Sequence, residues 1–167
     1  NQAILVTSSV PKEGKTTVSI NLAFALGQLD KTILIDADLR RPSIGKQFNI
    51  PSYQPGVANL VLKSHSFEEC LVRDEESNID ILSAGAIPSN PQELLADKGF
   101  EELITKLKSE YKYVVVDTAP TQAVSDSMIV ANSCDSVIYV VRADSTSDKV
   151  INNGLSRFLQ VGHRLDG

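Results

Sequence analysis

The residues best suited to chemistry come early: Ile4-Leu5-Val6-Thr7-Ser8-Ser9-Val10-Pro11-Lys12-Glu13-Gly14-Lys15-Thr16-Thr17. An apolar run passes into a turn-rich loop that closes on Gly-Lys-Thr-Thr, directly before a helical pattern. Each part has a use in binding phosphate. Gly14 lets the backbone approach an anion, successive N–H groups from Ser9 to Thr17 point inward, and the helix start adds about half a positive charge. Lys15 is spaced to reach β- and γ-phosphates and the Thr16 hydroxyl to ligate Mg²⁺. Ser9 stands where the GxxxxGK[ST] pattern has its first glycine, so the match rests on the last four residues and on the junction of strand and helix.

Two further sites carry acids at the ends of apolar runs. Thr32-Ile33-Leu34-Ile35 ends at Asp36 and continues Ala37-Asp38-Leu39-Arg40-Arg41-Pro42. Val114-Val115-Val116 ends at Asp117-Thr118-Ala119-Pro120. Short continuous apolar runs read as strands of a buried parallel sheet, whose C-terminal ends share one edge. Asp36 and Asp117 are therefore expected beside the phosphate loop. A carboxylate there holds Mg²⁺ directly or through water, or takes a proton from a nucleophile, and Arg40 and Arg41 are candidates for substrate or phosphate contact.

The elements that must position these groups follow in order. Ala3–Val6 reads as a strand and Thr16–Leu29 as a helix with apolar positions Val18, Leu22, Ala25, Leu26 and Leu29. Thr32–Ile35 is the second strand. From Pro42 to Asn78 the pattern weakens to two short helices, Gly56–Leu62 and Ser66–Leu71, the latter with a Ser66/Glu69 capping box. Ile79–Ser83 is a third strand, and Pro91 opens a short helix. A further helix carries Phe100, Leu103, Ile104 and Leu107. Tyr111–Val116 is a strand, Val124–Ser133 a helix, Ser136–Val141 the fifth strand, and Ser147–Gln160 a helix interrupted by Gly154. This alternation predicts an α/β fold with a mostly parallel sheet flanked by helices on both faces, and the phosphate loop at its first strand–helix junction makes it read as a P-loop NTPase.

At 167 residues the chain is most simply one domain with a single core. A net charge of −5 argues against a large electrostatic footprint for nucleic acid, and none is predicted as a partner. Cys70 and Cys134 lie far apart and suggest plain thiols rather than a metal site or disulfide framework. His65 and His163 read as surface or capping residues. No apolar run reaches the roughly 18 residues that span a membrane. The chain starts without Met in a strand and stops just after a helix. It is expected to be a fragment of residues 1–167 lacking its N-terminal flank, the last strand or strands and a tail.

Ser9–Thr17, Ile33–Arg40 and Val114–Pro120 together resemble the Walker A, A-prime and B motifs of bacterial tyrosine kinases, the P-loop kinases of capsule and exopolysaccharide export. Asp36-x-Asp38-x-Arg40 is the most specific of these. Gly85–Leu95, with its Asn-Pro and Glu-Leu-Leu, and Val124-Ser125-Asp126 resemble the family too. The resemblance implies ATP and Mg²⁺ as cofactors, with Lys15, Asp36, Asp38 and Asp117 catalytic. Ser9, Val10, Pro11, Lys12, Glu13, Gly14, Lys15, Thr16 and Thr17 would bind nucleotide, and Thr16, Asp36 and Asp117 the metal. It further implies a homo-oligomer, a membrane chain-length determinant or activator domain, fused or separate, and the tyrosine-rich tail of a neighbouring subunit as acceptor. The domain would lie in the cytoplasm at the inner face of the membrane. Where the family often has two prolines after the B motif this chain has Ala119-Pro120, a change that bears on loop stiffness. The tyrosine-rich tail itself is not in the sequence; Tyr111, Tyr113 and Tyr139 fall in or beside strands and read as packing residues.

A second function class shares the fold. Partitioning and positioning ATPases of the ParA and MinD type are dimeric switches that also end their loop in Gly-Lys-Thr-Thr. They place a signature lysine at the second loop position, which is Val10 here.

Overall fold

Strands alternate with helices because the apolar runs are too short to be helices and the connecting segments carry caps. The structure, a computed structural model, describes every residue except Arg164. Its strands are β1 (Gln2–Ser8), β2 (Thr32–Asp36), β3 (Val72–Asp74), β4 (Ile79–Leu82), β5 (Tyr113–Asp117) and β6 (Ser136–Val140). The helices are α1 (Lys15–Gly27), α2 (Ile44–Gln47), α3 (Val57–Val61), α4 (Phe67–Cys70), α5 (Pro91–Ala96), α6 (Lys98–Glu110), α7 (Asp126–Ala131) and α8 (Asp148–Gln160). One sheet runs β3-β4-β2-β5-β1-β6, parallel throughout except that β3 pairs antiparallel with β4. The short β3 was not expected from sequence, nor was α2, because neither offers enough residues for a period to show.

Both faces of the sheet are covered, and the strand side chains alternate between two cores. Ala3, Leu5, Ile33, Ile35, Val114 and Val116 face the helices α3 and α5 to α8. Val6, Leu34, Ile81 and Val115 face α1 and α2. This two-sided burial is why the strands read as unbroken apolar runs.

Three sequence expectations are corrected. The face of α1 nearest the strands is Lys15, Ser19, Ala23 and Gly27, with Val18, Leu22 and Leu26 partly buried against the core beside it; Leu29 lies past the end of the helix and is 73% exposed. That stripe, four residues apart, lets α1 lie near the strands. Tyr111 ends α6 rather than beginning β5, and its hydroxyl donates to Asp80 at 2.6 Å. Finally, α8 runs unbroken through Gly154. A Cβ at Gly154 would lie 1.8 Å from the Tyr139 hydroxyl, so glycine is required there by close packing, not as a helix break.

Among the described residues no helix is long and apolar enough to cross a membrane. Cys70 and Cys134 are free thiols. The Ser66/Glu69 capping box forms as expected, with the Glu69 carboxylate accepting from Ser66 N at 2.7 Å.

Candidate functional site

The parallel register brings the three sequence sites to one edge. β1 lies between β5 and β6, β5 lies between β1 and β2, and Asp36 and Asp117 are register partners on adjacent strands. The loop after β1 climbs to Gly14, which holds φ +87° as the residue preceding α1. Such a φ favours glycine. Nothing lies within 4 Å of where its Cβ would be, so the space beside Gly14 is open. No side chain caps the start of α1. Its first N–H groups are those an anion satisfies at helix N-termini.

Lys15 and Thr16 converge on one carboxylate. Lys15 Nζ lies 3.0 Å from Asp117 Oδ1, and the Thr16 hydroxyl donates to Asp117 Oδ2 at 2.9 Å. Ser19, one turn along α1, also donates to Oδ1 at 2.9 Å. Asp117 is fully buried. Burial pushes its carboxyl above the usual range, opposed by Lys15, Ser19 and Thr16 in that order. Lys15 Nζ also lies 3.9 Å from Asp38 Oδ2, so the ammonium sits between two acids.

A cleft of about 500 Å³ opens over this cluster, lined by Pro11, Lys12, Gly14 to Thr17, Asp38, Arg41 and Ser43. Not every residue expected at the site faces it. Ser9 is fully buried beneath the loop, where its hydroxyl shares a hydrogen bond with the Tyr139 hydroxyl at 2.7 Å. The Val10 N–H donates to the Glu13 carboxylate at 3.0 Å, and Glu13 also accepts from the Thr146 hydroxyl. Glu13 therefore ties the loop to the segment after β6 and keeps its negative charge off the space beside Gly14.

The two acids of the β2 edge part company. Asp36 is fully buried, and its carboxylate accepts the N–H groups of Asp38, Ser43 and Ile44 at 3.2, 3.0 and 3.0 Å. Burial first, then the facing Asp117, pushes its carboxyl up to about 7 despite the backbone bonds from Ile44 and Ser43. Asp38 instead lines the cleft. The arginines divide likewise. Arg41 lines the cleft, whereas Arg40 makes a two-pronged ion pair with the buried Asp126, at 2.7 and 3.0 Å. The Arg40 guanidinium neutralises an acid that would otherwise be buried alone.

Three contributors were missed from sequence. Ser19 was signalled by its place one turn after Lys15. Ser43, whose hydroxyl lies 3.1 Å from that of Thr16, and Tyr139 arrive by tertiary folding and leave no local pattern.

A strand, phosphate loop and helix beside a neighbouring strand that ends in a buried Asp define a P-loop NTPase fold, the architecture of nucleotide-binding proteins. The family model of the AAA domain matches residues 6–165. The chain is 34% identical to tyrosine-protein kinase ptk of Acinetobacter johnsonii, over all of this chain and 23% of that protein. It is 36% identical to tyrosine-protein kinase YwqD of Bacillus subtilis, over 87% of this chain and 61% of that one. The crystal structure of the VpsO kinase domain matches with TM-score 0.98 at 46% identity, covering 99% of this chain and 82% of that chain. The chain belongs to the AAA domain family and, within it, to the bacterial tyrosine-protein kinases. It spans less than two-thirds of the length of both curated relatives.

Proposed function

We propose that the chain is the catalytic core of an ATP-dependent protein-tyrosine kinase of capsule or exopolysaccharide synthesis. One observation carries the reading: Lys15 and Thr16 meet on Asp117 beneath a cleft that Asp38 and Arg41 also line. The open space beside Gly14 fits a phosphate, and the oxygen donors Thr16 and Asp117 suit Mg²⁺, which prefers few protein oxygens and keeps several waters. Bound magnesium would neutralise charge on the phosphate oxygens.

The residues then have distinct tasks. Lys15 exchanges its contact with Asp117 for the phosphates, and Gly14 to Thr17 hold them through N–H groups. Thr16 and Asp117 hold the metal, with Asp36 adding negative charge behind them. Asp38, facing the cleft, takes or orients the proton of the tyrosine hydroxyl, a role the sequence suggested for Asp36. Arg41 approaches the transferring group. Such catalysis is positioning and charge neutralisation, so few groups suffice.

We extend the same reading to a homo-oligomer at the inner membrane face, working with a chain-length determinant or activator and the tyrosine tail of a neighbour. Val10, standing where switch ATPases carry their signature lysine, favours the kinase over that alternative. The test is incubation with Mg²⁺, γ-labelled ATP and a glutamate–tyrosine copolymer, beside Lys15→Met. Lys15-dependent phosphotyrosine supports the kinase; free phosphate alone supports a switch ATPase.

A further inference from the structure

The cleft continues into a larger hollow. Across Arg41 and Ser43, which line both, it opens into a groove of about 950 Å³ over the C-terminal ends of β2 and β4. One wall is the segment after β2, with Lys46, Ile50 and Pro51; the other is the segment after β4, with Ala86 and Ile87. The second wall is held by backbone bonds. Val57 N and Ala58 N donate to the carbonyls of Ser83 and Ala84 at 2.8 and 3.0 Å, and Ala86 N donates to Asn59 Oδ1 at 3.1 Å.

Three features describe what would fill it. Ile87 is 63% exposed, so the groove offers apolar surface already facing water. The side chains of Arg41 and Lys46 are its exposed charges; its one lining acid, Asp36, is buried and engaged by backbone N–H groups. On a chain of net charge −5 this is a locally basic surface. Lastly, Ser83 lines the groove at 7% exposure, and its buried hydroxyl has no hydrogen-bond partner. Buried hydroxyls are seldom left so.

We propose that this groove docks an extended polypeptide segment in which a tyrosine is flanked by acidic residues, seating the segment against Ile50, Pro51 and Ile87 with its acids on Lys46 and Arg41. Continuity with the cleft at Ser43 and Arg41 then delivers the phenol to Asp38. The proposal rests on the kinase reading for the direction of the segment, and on the groove itself for the binding.

The test measures binding and transfer separately. A fluorescein-labelled peptide with one tyrosine between glutamates, and its lysine-flanked counterpart, are titrated by anisotropy with Mg²⁺ and a non-hydrolysable ATP analogue. The protein is wild type, Lys46→Glu or Ile87→Asp; both residues are exposed and outside the cleft, so binding of a fluorescent nucleotide should be unchanged. We expect the wild type to prefer the acidic peptide. Each variant should weaken it at least about tenfold, and Lys46→Glu should narrow or reverse the preference. The KM for phosphorylation of the same peptide should rise in parallel. Equal binding by wild type and variants, no acidic preference, or no binding at all overturns the groove. Transfer with unaltered KM in the variants overturns it while leaving the kinase standing. Binding that follows the groove without any transfer keeps the docking site and removes the kinase.

Discussion

The two halves of the sheet's C-terminal edge are built in opposite ways. At β1 and β5 the charges are paired in the dark: Lys15, Thr16 and Ser19 all contact the buried Asp117, and Ser9 is fixed from below by Tyr139. At β2 and β4 the side chains of Arg41 and Lys46 face solvent, and the Ser83 hydroxyl has no partner. The first half satisfies its polar groups internally. The second keeps its charged groups in solvent. Preorganisation suits a fixed phosphate geometry, while a groove that meets a varying polypeptide needs less of it.

On that contrast, substitutions of the paired, buried groups should be costly and those of the solvent-facing groups cheap. Arg40→Ala strands the buried Asp126 and should lower unfolding free energy in urea by about 3 kcal/mol. Asp126→Ala added to it should recover part of the loss, and Arg40→Lys should not restore the two-pronged pair. Tyr139→Phe removes the hydroxyl shared by Ser9 and Thr121 and should cost about 1 kcal/mol. The same change should soften the penalty of Gly154→Ala, because the clashing oxygen is gone; a double-mutant cycle in urea measures this.

A pH titration probes the seam between the halves. Asp36 has an ordinary value of 3.8 and is raised to about 7 on folding, so the folded state holds its proton more tightly. The associated stability is complete below about 4 and is lost as pH rises to about 7. Asp36→Asn should therefore flatten the stability profile between those limits in metal-free buffer. In the open half, Lys46→Glu should alter thermal unfolding by no more than about 0.5 kcal/mol, as exposed substitutions usually do.

Much of this was legible in the sequence. Every strand but β3, their buried parallel character and the loop at β1 follow from apolar runs ending in acids or in segments rich in turn-forming residues. The Ser66/Glu69 cap was readable because capping is local. What was not legible depends on long-range approach. Gly154 looked like a helix break because its reason is Tyr139, which is remote in sequence. Asp36 and Asp38 are two residues apart with the same chemistry, and only the path of the turn decides which faces the cleft. Arg40 and Arg41 differ likewise, one taken by Asp126 and one left to the cleft.

The most direct test of the central claim is transfer from γ-labelled ATP by the wild type and Lys15→Met, with tyrosine label and free phosphate counted separately. Lys15 is the side chain that must leave Asp117 for the nucleotide, so its loss should cut tyrosine phosphorylation by at least about 10²-fold. Wild-type phosphotyrosine that vanishes in Lys15→Met is the predicted result. Label remaining on tyrosine in Lys15→Met, or wild-type hydrolysis without any phosphotyrosine, would contradict it.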